Sequence, residues 1–115
     1  MRSQVRWPAV AAAMPAPRDC GCPLPARLRQ YLLASQAQVV PLYELEQRGG
    51  FGGAASAEGR DFVTARLAAG AAELRDLVVL AWRESASEKV GYPPQPVAEM
   101  AAGRLAMHRG MFWRD

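Results

Sequence analysis

The stretch from Arg60 to Glu84 constrains the fold most, because it is the longest run of helix-compatible sequence in the chain. It contains no proline and one glycine, and Asp61 stands where a helix N-cap is favoured. Apolar and small residues recur at steps of three and four, which places them on one helix face: Val63, Leu67, Gly70, Leu74, Leu77, Val78 and Ala81. This pattern predicts a long central helix against which the rest of the chain packs.

The carboxyl end of this helix carries the sequence LVVLAW, which is apolar on every side. A helix of that kind is buried on every side. Two arrangements would achieve this: short N-terminal helices wrap around it, or part of its surface faces another subunit. We expect Leu67, Leu74 and Leu77 to hold the fold together, and Leu80 and Trp82 to meet another subunit.

The proline content divides the chain near residue 25. Five prolines lie in residues 1–25 and predict an extended arm, flexible or ordered by a partner, in preference to a cleaved targeting peptide. Residues 26–115 are interpreted as a single helical domain.

Short helices are predicted before a glycine-rich loop at residues 49–59, which resembles a flexible linker. A second loop over residues 85–96 leads to a last helix from about Val97 to Phe112. No segment shows the two-residue period of a strand. The predicted fold class is therefore all-α, a small bundle of three to four helices around the long one at about 60–84.

The composition argues against several classes of protein. The 115 residues carry a net charge of +3, and acidic residues are interleaved with basic ones beyond Arg29, whereas nucleic-acid binders usually segregate a basic face. No stretch approaches the roughly 20 apolar residues of a membrane span, so no membrane partner is expected. The two cysteines are two residues apart and offer no disulfide framework, which makes a reducing, cytoplasmic setting the default.

Three residues are candidates for metal or thiol chemistry: Cys20, Cys22 and His108. Structural zinc sites use four ligands, and the one-residue gap differs from the usual CxxC spacing. Redox-active cysteines normally lie at a helix N-terminus, whereas this pair lies in the proline-rich arm. His108 has no neighbouring nucleophile or orienting carboxylate. We therefore predict no catalytic, metal or cofactor site, and a protein that is not an enzyme.

Large apolar side chains mark the candidate interaction residues. A terminal turn with three such groups either folds back onto the core or acts as an anchor, and methionine and aromatic residues are enriched at interface centres. An aromatic residue in a flexible arm is best explained by a pocket on a partner. The candidates are Trp7, Leu80, Trp82, Met111, Phe112 and Trp113.

The order of motifs from Leu42 to Phe112 resembles that of the small head–tail connector, or adaptor, proteins of tailed bacteriophages and prophages. A short helix ending in glycine, YELEQRGG, comes first, and the alanine-rich helix FVTARLAAGAAELRDLVVLAW follows. A proline-initiated helix with a histidine-arginine pair near its end then runs from Pro93 to Arg109, before the aromatic Phe112. The loop before it reads KVGYP where the family has an arginine-tyrosine-proline sequence.

The resemblance implies a helical subunit that forms a homo-oligomeric ring beneath the portal and passes DNA through its bore without reading sequence. The arm and C-terminal segment would dock on the portal and on the next neck or tail component. Such a subunit would be found in the virion, and in the bacterial cytoplasm during assembly. The leading expectation is therefore a non-enzymatic structural protein of the virion neck.

Two other functions stay open at this point. A small basic helical nucleic-acid-binding or regulatory protein would show DNA affinity that falls steeply with salt. A metal or thiol enzyme that uses Cys20, Cys22 and His108 would lose its function when both cysteines become serine.

Overall fold

The computed structural model describes residues 5–106, and this part of the chain is mainly helical, as the sequence predicts. One two-stranded sheet accompanies the helices in the described residues. In chain order the elements are α1 (Trp7–Ala13), α2 (Leu24–Gln36), α3 (Val39–Gln47), α4 (Ala57–Ser85), β1 (Lys89–Val90), β2 (Gln95–Pro96) and α5 (Val97–Ala101).

The chain divides into two compact units, which are described separately. The first unit ends at Asp76 and contains α1, α2, α3 and the larger part of α4. The second unit begins at Leu77 and contains the end of α4, the hairpin and α5. The division into an arm over residues 1–25 and one domain over residues 26–115 stays a prediction.

Helix α1 lies in the segment expected to be extended. The prediction of an extended arm over residues 1–25 is wrong for Trp7–Ala13, which form a helix with Pro8 in its first turn. Proline is favoured there because its missing N–H has no intrahelical partner and its φ suits a helix. The alanine-rich sequence WPAVAAA then continues the helix, and Val10 is buried in the first unit.

Helices α2 and α3 form on either side of a turn at Ala37 and Gln38. Pro41 lies in the first turn of α3, where a backbone N–H would have no partner within the helix. After α3, the ring of Phe51 in the glycine-rich loop packs edge-to-face against Phe62 of α4, with 6.1 Å between the ring centroids. The loop is thus attached to α4 through an aromatic pair.

Helix α4 begins at Ala57, earlier than the sequence pattern predicts. Its N-cap is Ser56, whose Oγ accepts a hydrogen bond of 2.9 Å from the backbone N–H of Gly59. Glu58 in the first turn adds a favourable interaction with the helix dipole. The prediction that Asp61 caps this helix is wrong, because Asp61 lies inside α4 and serine is itself a strong N-cap.

Replacing Gly59 by alanine is expected to destabilise the first unit by about 2 kcal/mol, as at other overpacked sites. A Cβ at this position would overlap the carbonyl oxygen of Gly50, which belongs to the backbone and cannot rotate away. Gly53→Ala is the control, because a Cβ there would have no neighbour within 4 Å. Urea denaturation measures both variants, and equal stability would contradict the close approach at Gly59.

The core of the first unit is built mostly from alanine, with Val10 and Leu45, and no large side chain of the described residues is completely buried. Small residues bury little apolar area, so each contributes less to stability than a leucine would. The unit therefore has a thin core for its length. Its buried apolar residues are Val10, Leu45, Ala55, Ala68 and Ala72.

The buried face of α4 differs from the predicted one. Ala68, Ala72 and Asp76 are buried at four-residue spacing and share one side of the helix. Leu67 and Leu74 are 43% and 64% exposed, so the prediction that they hold the fold together is wrong. The alanines lie inside because they let neighbouring segments approach the helix closely, which leucines on the same face would prevent.

In the second unit, the part of the chain expected to be a loop contains a short antiparallel hairpin. Lys89 pairs with Pro96, and Val90 pairs with Gln95. The prediction that no strand occurs is therefore wrong here. These strands are two residues long, too short for an alternating pattern to be recognised in a sequence.

The last predicted helix is also shorter than expected. Helix α5 ends at Ala101, so the predicted helix is wrong for residues 102–106, and Phe112 lies outside the described residues. Gly103 has a φ of 73°, in the left-handed region that glycine adopts readily. The backbone N–H of Arg104 donates to the carbonyl of Glu99 at 3.0 Å, which closes the helix end as a glycine C-cap does.

Candidate interaction surfaces

A cluster of buried charges joins α2 to α4 in the first unit. Arg27 donates from Nε to Glu73 Oε1 at 3.3 Å, and from Nη2 to Asp76 Oδ2 at 3.2 Å. Arg27 and Asp76 are each only 8% exposed. A buried charge is tolerated when it is paired and hydrogen-bonded, and both conditions are met here. We refer to Arg27, Glu73 and Asp76 as the buried charge cluster.

Asp76 is held in its ionised form by further donors. Arg75 Nε donates to Asp76 Oδ1 at 2.8 Å, and the backbone N–H of Arg18 donates to Asp76 Oδ2 at 3.3 Å. The hydrogen bond from Arg75 is the main reason why the pKa of Asp76 lies below its ordinary value of 3.8. The Arg18 N–H and the charges of Arg75 and Arg27 lower this pKa further, while burial opposes them.

The stability of the first unit should depend on pH because of the ionisation of the Asp76 carboxyl. Because the pKa of this carboxyl is lower in the folded state than the ordinary 3.8, its stabilising effect is complete above about pH 5. The effect is lost as the pH falls through the folded-state pKa, below 3.8. Between pH 6 and pH 2, the temperature of thermal unfolding should therefore fall more steeply for the wild type than for the Asp76→Asn variant. Parallel curves would show that Asp76 gains nothing from its ionised state.

The same side chains hold the chain between α1 and α2, residues 14–23, which we call the proline-rich segment. Arg27 Nη1 donates to the carbonyl of Arg18 at 3.2 Å, and Arg75 Nη2 donates to the carbonyl of Pro15 at 3.1 Å. Each proline of this segment lacks an N–H, so its backbone can form a hydrogen bond only through its carbonyl. The segment is thus attached to α2 and α4 by side chains that are themselves fixed.

A cavity of about 160 Å³ lies between the proline-rich segment, α2 and α4. Its lining combines apolar groups such as Ala69 with Tyr31, Arg66 and members of the buried charge cluster. Arg66 donates to Ser35 Oγ at 3.3 Å, and the acidic groups are paired with arginine. No group of three or more possible metal ligands occurs within residues 5–106.

Cys20 and Cys22 in the proline-rich segment are joined by a disulfide. The bond links residues only two positions apart, so it connects no two helices of the fold. Cys20 is exposed and Cys22 is half-buried. The pair is a local feature of the segment.

The side of α4 opposite its buried face is apolar in the first unit. Leu67, Ala71 and Leu74 lie at steps of four and three and share this side, which we call the outer face of α4. Leu74 is the more exposed of the two leucines, at 64%. Helices α2 and α3 add further exposed apolar residues to the first unit: Leu32, Leu33, Val39, Val40, Leu42 and Tyr43.

The predicted interaction residues occupy different environments. Trp7 on α1 is 77% exposed in the first unit, and Trp82 is 66% exposed in the second. Leu80 is half-buried and lies on nearly the opposite side of α4 from Trp82, so one flat partner surface could not contact both. Met111, Phe112 and Trp113, like His108, lie outside the described residues; the list of predicted interaction residues therefore stays a prediction.

The sequence pattern does not indicate the buried charge cluster, and it places the face that carries Leu67 and Leu74 inside the fold. Glu73 and Asp76 lie one turn apart, beside the small residues Ala69 and Ala72. Their cation is Arg27, near the start of α2 and more than forty positions away in the sequence, so no local pattern indicates the pairing.

None of the helices in residues 5–106 combines the length and apolar character needed to cross a membrane. Comparisons with known protein families, with curated proteins and with solved structures find no significant match to this chain. Its function is therefore inferred from its own residues and their geometry.

Proposed function

We propose that this protein is a non-enzymatic structural subunit that assembles with copies of itself, and that it serves as a head–tail connector in the neck of a virion. The observation that carries the proposal is the inverted character of α4 in the first unit. Its inner side consists of Ala68, Ala72 and the paired Asp76, while Leu67 and Leu74 point outward. Solvated helices usually show the reverse distribution.

A contact between protein chains on the outer face would be energetically favourable. Burying a leucine side chain stabilises by roughly 1.5–3 kcal/mol, and the two outer leucines forgo much of this in an isolated chain. Contiguous exposed apolar patches on soluble proteins mark interaction sites. A second copy of this chain presents the same apolar face, with the small Ala71 between the two leucines allowing the two backbones to come close.

The finer architecture belongs to the same proposal. We infer that the helices pack as a small bundle around α4, leaving the outer face available for a neighbouring copy in a ring. DNA would pass through the ring without sequence-specific contacts. Trp7, Trp82 and the residues Met111, Phe112 and Trp113 would anchor the subunit to the portal and to the next neck component. Assembly would take place in the bacterial cytoplasm, and the finished subunit would be part of the virion.

The neck assignment is tested by co-expression with the portal protein encoded beside this gene. The wild-type chain should copurify with the portal as a complex of defined mass, and Trp7→Ala should weaken this complex without changing self-association. Ala12→Ser, at another exposed position of α1, is the matched control. If the portal is absent from the neighbouring genes, or if it does not copurify, the neck assignment is wrong, while self-assembly can still be measured by itself.

A further inference from the structure

Neither the fold nor the proposed assembly depends on the disulfide between Cys20 and Cys22. It closes a loop of only three residues, and the stability that a disulfide gives decreases as the closed loop becomes shorter. It also lies at the surface, with Cys20 exposed and Cys22 half-buried. Exposed disulfides that contribute little to stability are the ones that exchange with thiols.

We propose that Cys20 and Cys22 form a thiol–disulfide exchange site that reacts reversibly with a small thiol of the glutathione class. The reaction transfers two electrons between the protein pair and two molecules of the thiol. The oxidised protein has the Cys20–Cys22 bond, and the reduced protein has two free thiols. This site is separate from the outer face of α4 and does not depend on the neck assignment.

The structure indicates which sulfur is attacked. The backbone N–H of Cys22 donates to Cys20 Sγ at 3.3 Å, so negative charge that develops on Cys20 Sγ is stabilised. The thiolate of the small thiol therefore attacks Cys22 Sγ, forming a mixed disulfide there and releasing Cys20 as a thiolate. A second small thiolate attacks the sulfur of the bound small molecule, forming the oxidised dimer of the small thiol and releasing Cys22. Both protein thiolates then take up protons from solvent.

Two features favour the return reaction, in which the bond reforms. Gly21 between the cysteines has a φ of 60°, a conformation that glycine adopts readily and that other residues avoid. Arg18, two residues before Cys20, is fixed at both its N–H and its carbonyl by the buried charge cluster. The reduced pair is thus attached to the fold on its N-terminal side, which limits the conformations to be searched before the two sulfurs meet.

The test uses the full-length protein in buffers with different ratios of reduced to oxidised glutathione, without denaturant. Samples are quenched with acid, alkylated and weighed as intact protein. We expect the number of alkyl groups on each protein molecule to change reversibly between zero and two. A transient glutathione adduct should also form, and peptide mapping should assign it to Cys22. The control is the double variant Cys20→Ser/Cys22→Ser, which has neither thiol and therefore shows whether any other residue is alkylated.

A second variant tests the role of the turn. Gly21→Ala should slow reoxidation by about fivefold, because the left-handed conformation is costly for alanine. The site is disproved if the wild-type bond stays oxidised in excess reduced glutathione until the protein is denatured. It is equally disproved if the reduced protein accumulates two glutathione adducts and never reforms the Cys20–Cys22 bond.

Discussion

Asp76→Ala is expected to lower the free energy of unfolding of the first unit by about 3 kcal/mol, since this is the usual effect of removing one partner from a buried ion pair. The substitution leaves Arg27 buried with only Glu73 as its charged partner, and it removes the acceptor for the Arg18 N–H. Domains are stable by only about 5–15 kcal/mol, so the loss is a large fraction of the total. Urea denaturation followed by circular dichroism measures it.

Glu58→Ala provides the matched control for this prediction. Glu58 also pairs with an arginine, Arg48, at 2.9 Å, but both side chains are more than half exposed. Exposed pairs are worth roughly 0–1 kcal/mol, so the control should be almost as stable as the wild type. If Asp76→Ala and Glu58→Ala had equal and small effects, the buried charge cluster would not hold α2 and the proline-rich segment on α4.

Replacing both Leu67 and Leu74 by glutamate is expected to weaken self-association by about 30-fold or more, the effect of losing roughly 2 kcal/mol at the centre of an interface. Both side chains are exposed in the single chain, so the helix itself should tolerate the change. The measurement is the recovery of untagged protein on a tagged copy of the same variant, compared with wild type on wild type.

The control for this second prediction is Ala65→Glu, which adds the same charge to α4 at an exposed position away from the outer face. It should associate as the wild type does. Circular dichroism should show that both variants are folded. Association that survives in the double glutamate variant would mean that copies meet through another surface, such as the exposed residues of α2 and α3.

The sequence predicts the helical character of this chain well, because most residues of α2, α3 and α4 are compatible with a helix and the prolines lie in first turns. Pro41 follows the turn between α2 and α3, and the glycines after Arg48 follow the end of α3. The sequence predicts the inner face of α4 poorly. Periodicity detects large apolar residues, whereas the buried positions here are occupied by Ala68 and Ala72 and by a charged Asp76. Whether leucine lies inward or outward depends on what packs against the helix.

The remaining differences have similar local causes. Gly59 suggests a loop when considered alone, but its missing side chain is what allows α4 to begin beside the Gly50 carbonyl. Gly103 ends α5 although the apolar pattern continues past it. The cluster of Arg27 with Glu73 and Asp76 joins residues more than forty positions apart, which no local pattern can indicate.

Sedimentation velocity can show whether copies of this chain meet through the outer face of α4. The wild type should change with increasing concentration from a 12.5 kDa monomer to an oligomer of fixed size, and the Leu67→Glu/Leu74→Glu variant should stay monomeric over the same range. If the wild type sediments as a monomer at every concentration, as the variant does, the outer face is not a contact between copies.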